Sequence, residues 1–126
     1  MLIFGHPLID SEVFYSVKSI RDIKSSPSGS IIVIDSMKDS MKSLKFCQKR
    51  SVPYAVRVST IREAIFANAL SARYIIVPKR SSKGIMDIAQ YYLFDTKVLV
   101  EVDREDEIEE MAKVGIDGVI LTYGEG

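Results

Sequence analysis

Five short apolar runs recur along the chain at nearly constant spacing: Ile31–Ile34 (IIVI), Tyr54–Val58 (YAVRV), Tyr74–Val77 (YIIV), Val98–Val102 (VLVEV) and Val119–Leu121 (VIL). Centred on Val33, Ala55, Ile76, Leu99 and Ile120, they stand 22, 21, 23 and 21 residues apart. Runs this short and this rich in Val and Ile predict strands buried on both faces, as in a parallel sheet.

The segments between them have helical periodicity. Asp35 or Ser36 is placed to cap a helix that carries Met37, Met41 and Leu44 on one face. Thr60 precedes Ile61, Ala64, Ile65 and Ala69, with N-cap chemistry at the right position. Ser81 or Ser82 precedes Ile85, Ile88, Ala89 and Tyr92, spaced i, i+3, i+4 and i+7. Asp103 precedes Ile108, Met111 and Ala112, and Gly115 stops that helix as a left-handed C′ residue. Strand followed by helix, repeated, is the βαβ pattern, with right-handed crossovers.

The first thirty residues are less regular. Leu2–Phe4 reads as a strand ending at Gly5, and Val13–Val17 (VFYSV) as either a strand or the start of a helix running to Ile23. Ser25–Ser30 (SSPSGS) is a loop punctuated by Pro27 and Gly29. The expectation is one α/β domain over residues 1–126, with a mostly parallel sheet of five or six strands. The preferred architecture is an open, flavodoxin-like or Rossmann-like sheet, and the alternative is a partial (β/α) barrel.

Two segments, Thr60–Val77 and Asp106–Leu121 (DEIEEMAKVGIDGVIL), share a plan in which a helix passes through a small residue into an apolar strand. The second resembles the A-x-x-G-x-D-G-V-I unit of phosphate-binding TIM-barrel proteins, carried here by Ala112, Gly115, Asp117, Gly118, Val119 and Ile120. The chain as a whole resembles small bacterial βα-repeat proteins. The TIM-barrel resemblance implies βα units and a phosphate site at the strand ends. The usual Gly-rich loop and further helix do not follow here, since the sequence runs to Thr122–Gly126 (TYGEG).

Composition narrows the classes. With 126 residues and 47% apolar side chains, the chain is long enough and apolar enough to form a core of its own. Cys47 is the only cysteine and His6 the only histidine, so no intramolecular disulfide and no His/Cys zinc site is expected, and a reducing, cytoplasmic setting is. No apolar run approaches the roughly 20 residues of a transmembrane helix. The opening MLIFGHPLID reads as a strand rather than a signal peptide.

Ligands of parallel α/β sheets sit beyond the carboxyl ends of the strands. That rule selects Gly5, His6 and Pro7; Asp35 and Ser36; Ser59 and Thr60; Lys79 to Lys83; Asp103 and Arg104; and Thr122, Tyr123 and Gly124. The sharpest motif is Lys79–Gly84 (KRSSKG), where Lys79, Arg80, Ser81, Ser82 and Lys83 combine basic side chains with a helix start, the chemistry of an anion site. The bland reading is a solvated turn capped by Ser. It is not a Walker A loop, which needs a G-K-[ST] sequence. His6 is the one side chain with an ordinary pKa near neutrality, and its alternative role is a structural hydrogen bond. Asp35 and Asp103 end strands and could together hold Mg²⁺ for phosphodiester chemistry, or simply cap helices. Gly5 and His6 stand where response-regulator receiver domains carry an acidic pair, which argues against phosphoacceptor chemistry. No motif specifies a cofactor or a protein metal site.

The formal charge is zero, yet it conceals a division: residues 1–84 carry fourteen basic side chains against six acidic, and residues 85–126 carry three against eleven. Lys38, Lys42, Lys45 and Lys49 form a stripe at i, i+4, i+7 and i+11, while Asp103, Glu105, Asp106, Glu107, Glu109 and Glu110 crowd the last helix start. Tyr91, Tyr92, Leu93 and Phe94 add a bulky apolar group that one helix face cannot bury entirely. The reading that best fits is a binding or interaction module, homo-oligomeric (a dimer), with a site for a small anionic or phosphorylated molecule. The alternative is an enzyme acting on a phosphorylated small molecule or phosphodiester. A nucleic-acid binder fits less well, because the aromatic residues do not interleave with the lysines.

Overall fold

The computed structural model describes residues 1–122; Tyr123 and Gly124 of the sequence-derived site lie outside the described residues. Seven strands form, rather than five or six, because both N-terminal candidates join the sheet. They are β1 (Leu2–Phe4), β2 (Phe14–Val17), β3 (Ile31–Ile34), β4 (Tyr54–Arg57), β5 (Tyr74–Ile76), β6 (Lys97–Val102) and β7 (Gly118–Leu121). The helices are α1 (Ile20–Lys24), α2 (Met41–Arg50), α3 (Ile61–Ala69), α4 (Ser82–Tyr91) and α5 (Asp106–Val114).

All strand pairs are parallel, in the order β1-β7-β6-β5-β4-β3-β2. From β2 to β7 each strand lies beside its predecessor, so the sheet is wound in one sense without a reversal. This is the partial (β/α) barrel arrangement and not the doubly wound one. Right-handed crossovers in one sense put every helix on the same face, and the core divides accordingly. Ile32, Ile34, Val56, Ile75, Val98, Val100 and Val119 pack with helix residues such as Leu44, Ala64, Ile85 and Met111. The other face carries Phe4, Ile31, Val33, Ala55, Tyr74, Ile76 and Leu99, a cluster made of strand residues alone.

That second face is concave. Phe4 of β1 and Phe14 of β2, on opposite edges of the sheet, bring their ring centroids within 5.0 Å. Tyr74 from the middle strand meets them at 5.4 and 5.8 Å, all three edge to face. Edge-to-face pairs add about 0.5–1.5 kcal/mol each beyond their buried area, so this trio helps hold the curl. The link from β1 to β2 has no helix and returns along the seam. Glu12 in it accepts from the Tyr74 hydroxyl at 2.5 Å and pairs with Arg73 at 3.3 Å. Burial, with the Glu12 carboxylate, pushes the Tyr74 phenol up to about 12.

Local chemistry sets the helix ends. Thr60 Oγ1 accepts from the Glu63 amide at 3.1 Å and Glu63 returns to the Ser59 amide at 3.0 Å, a capping box on α3. Gly115, at φ 85°, ends α5 as expected. Two expected caps are corrected. The helix after β3 begins only at Met41, with Ser40 as N-cap, and α5 has Glu105 as N-cap, so neither Asp35 nor Asp103 caps a helix. Three expected helix faces also change: on α2, Met37 lies before the helix and Met41 is exposed, which leaves Leu44 buried with Ser43 and Cys47. Ala64 and Ala67 form the buried stripe of α3 and leave Ile61 and Ile65 exposed, while Tyr92 at the end of α4 is exposed as well. Among the described residues no helix is long and apolar enough to cross a membrane.

Candidate functional site

In a singly wound parallel sheet the C-terminal ends of the strands form a rim, and side chains facing the concave side near those ends point into its mouth. Strand alternation decides which these are. On β4, Ala55 faces the concave side, so Arg57 does too; on β6, Leu99 does, and therefore Glu101. Asp35 directly follows β3. The three meet. Arg57 Nε donates to Asp35 Oδ1 at 3.3 Å, while its terminal nitrogens donate to both oxygens of Glu101, the second at 3.3 Å.

This triad ties three strand ends across the mouth, with the apolar Ile76 of β5 beneath it. The paired carboxylates, Glu101 foremost, raise the Arg57 guanidinium above its already high ordinary value, so it stays charged at any working pH. Arg57 is 37% exposed, Asp35 55% and Glu101 36%, so the triad is reachable from solvent. Among the described residues, nothing takes the remaining N–H of either terminal nitrogen. Around it lies a cavity of about 490 Å³ lined by Asp35, Ser36, Arg57, Ser59, Glu63, Lys79 and Glu101, together with Val58, Ile76, Val77 and Pro78.

The sequence-derived site residues separate. Asp35 and Lys79 line this cavity; His6 and Asp103 do not. His6 Nδ1 accepts from the Leu8 amide at 3.0 Å, which places the ring proton on Nε2, and that nitrogen donates to Glu105 Oε1 at 2.6 Å. Both ring nitrogens are thus occupied in fastening the β1 end to the α5 start. Asp103 offers its amide to Glu107 at 3.3 Å. Among the described residues, no three His, Cys, Asp or Glu side chains gather as a metal site requires.

The basic loop is also distributed. Lys79–Ser81 form a single 3-10 turn running into α4. Lys79 Nζ sits between Glu107 at 2.8 Å and Glu110 at 2.9 Å, so its charge is balanced within the fold. Those contacts raise the Lys79 ammonium, Glu107 foremost, and hold the Glu107 carboxyl down at about 2, through Lys79 first and Asp103 second. Ser82 is buried and donates to the Lys79 carbonyl at 2.7 Å; Ser81 donates to the Ser59 carbonyl at 3.3 Å. Lys83 pairs with Asp87 at 2.5 Å, and Arg80 has no ion pair among the described residues.

A larger cavity, about 760 Å³, lies at the opposite, N-terminal end of the strands. Two of its polar side chains tie loops to the sheet: Tyr54 donates to the Leu70 carbonyl at 2.9 Å, and Thr96 to the Ala72 carbonyl at 2.6 Å. Cys47 also lines it, but burial pushes that thiol up to about 11, so it is no nucleophile near neutrality. The N-terminal end of a singly wound sheet is where stability, not chemistry, concentrates.

Sequence reasoning missed Arg57 and Glu101. Each is a single charged residue near the carboxyl end of an otherwise apolar run, which was the available signal. No protein-family model matches this chain, and a search of curated proteins finds no match to it.

Proposed function

We propose that this chain is a binding module for a small hydroxylated molecule carrying an anionic group, such as a phosphate ester, held in the mouth of the curled sheet. One observation carries the reading: an accessible guanidinium lining a cavity of about 490 Å³ is fixed there by two carboxylates, with N–H groups to spare. A planar fork immobilised in this way loses little entropy on meeting an oxyanion bidentately. Asp35 and Glu101 keep acceptor capacity for hydroxyl groups of the same ligand, and Ser36 and Ser59 add donors. The enzyme alternative draws less support, since only Asp35 and Lys79 of its residues share the cavity. A reducing, cytoplasmic setting belongs to this reading and rests on the single buried thiol.

Calorimetric titration tests it, with glycerol phosphate, inorganic phosphate and glycerol as probes. Glycerol phosphate should bind, and Arg57→Ala should weaken it at least about tenfold, the scale of one charge-assisted hydrogen bond. Arg57→Lys should recover only part of the loss, because the fork is gone. The Arg80→Ala/Lys83→Ala double variant, whose side chains do not line this cavity, should bind as the parent does. Unchanged affinity in Arg57→Ala, or loss confined to the double variant, would overturn the mouth as the site.

A further inference from the structure

Apart from the mouth, the most unusual surface is the outer side of α3 and α4. Ile61, Ile65 and Phe66 of α3 are exposed, Phe66 at 56%. At the end of α4, Tyr92 is 65% and Leu93 84% exposed, and Tyr91 and Tyr92 pack edge to face at 4.9 Å. α3 and α4 pack against each other, so these groups sit on neighbouring helices. Gln90 lies at Gly115, the stop of α5, where its Nε2 would stand 3.6 Å from an added Cβ. The flank of α4 that carries Gln90 therefore faces α5, and the opposite flank, with Ile88 and Tyr92, turns towards α3. Ile61 and Ile65, one turn apart, line the α3 side. Exposed large apolar side chains gathered on two neighbouring helices mark an interaction site.

Charge identifies what covers it. The helices follow one another round the outside, so α2 lies on one side of the apolar strip and α5 on the other. Lys42, Lys45 and Lys49 of α2 are exposed, as is Glu109 of α5; the exposed Glu110 and Asp106 beside it are already paired with Lys79 and Arg104, so Glu109 is the acid of this border with no ion pair among the described residues. The strip is thus flanked by a basic border and an acidic one, which is complementary to a reversed copy of itself. We infer that the α3–α4 face is a self-association surface, and that two copies meet there about a two-fold axis running along the groove between α3 and α4. That axis sets α3 against the partner's α4 and turns each basic α2 border to the side of an acidic α5. The other isologous choice, an axis across the helices, brings α2 to α2 and α5 to α5, with like charges on the same side. The apolar strip supplies affinity, and the borders orient the encounter over a screening length of about 10 Å.

Light scattering across a concentration and salt series tests this directly. The parent should reach twice the 14.1 kDa chain mass, with dissociation increasing as salt is added. Ile65→Asp/Tyr92→Asp alters exposed positions only, so the variant should keep the parent's circular dichroism while its dissociation constant rises at least about tenfold. Lys45→Glu should weaken the dimer, and Lys45→Glu/Glu109→Lys should restore it. A monomeric parent, or a dimer indifferent to Ile65→Asp/Tyr92→Asp, overturns the surface. A dimer that tightens with Lys45→Glu overturns the axis.

Discussion

At Gly118 an added Cβ would stand 2.8 Å from both the Cβ and the carbonyl oxygen of Leu2, and 2.8 Å from Leu99 Cδ2. Backbone lies on one side and a packed core residue on the other, so neither yields cheaply. Gly118→Ala should therefore lower stability by about 1–3 kcal/mol, the cost of overpacking, read as a shift in urea midpoint; an unmoved midpoint would mean that β1 and β7 separate freely. The neighbouring residues are equally determined by position. Asp117 accepts from the Val98 amide at 2.8 Å and Gly115 takes the left-handed conformation. The A-x-x-G-x-D-G-V-I resemblance was thus legible, and its residues serve close strand packing in this chain. Arg57 and Glu101 were not legible as a pair, because 44 residues separate them and only sheet register brings them to one mouth. His6 was legible as a strand-end residue, but its hydrogen bonds to Leu8 and Glu105 depend on where α5 begins.

Among the elements, the start of α3 followed its sequence closely, because a Thr60 cap with Glu63 three residues on is a purely local device. The start of α2 did not, since Asp35 is drawn to Arg57, a contact no local pattern contains. The buried Ala64/Ala67 stripe of α3 was hidden by the larger Ile61 and Ile65, which periodicity alone favours for the core. The junction of α4 and α5 depends on the Lys79–Glu107 pair, and its pH dependence has a definite sign. Glu107 titrates at about 2 in the fold against an ordinary value of 4.5. Its contribution is therefore complete above about pH 4.5 and is lost as pH falls from there towards 2, where unfolded and then folded chains take up the proton. Lys79 is partly exposed, so solvent screens the pair and keeps this contribution small. Thermal melts of the parent and Glu107→Gln should differ at neutral pH and converge between pH 4.5 and 2; a gap independent of pH would contradict the pairing.

Together, the described residues form a sheet of seven parallel strands whose two edges approach through aromatic rings. The repeat of strand and helix was legible, but the order of strands was not. Open and curled sheets use the same local units and differ only in long-range contacts such as Phe4 with Phe14, or Glu12 with Tyr74. The order decides where a site can be. Without a reversal there is no crevice between two halves of the sheet, and the strand ends instead surround one mouth, with Arg57 held between Asp35 and Glu101. Around the outside, the same order separates the basic α2 from the acidic α5 by the apolar α3–α4 strip, which is why zero net charge coexists with strongly divided charge. The mouth is tested most directly by titrating isotope-labelled protein with glycerol phosphate while following backbone amide resonances. The amides of Ser36, Val58, Ser59, Lys79 and Glu101 should shift together and saturate with one dissociation constant, and Arg57→Ala should raise that constant at least about tenfold. Shifts confined to Arg80–Lys83, or centred on the N-terminal cavity near Arg73 and Lys97, would contradict it.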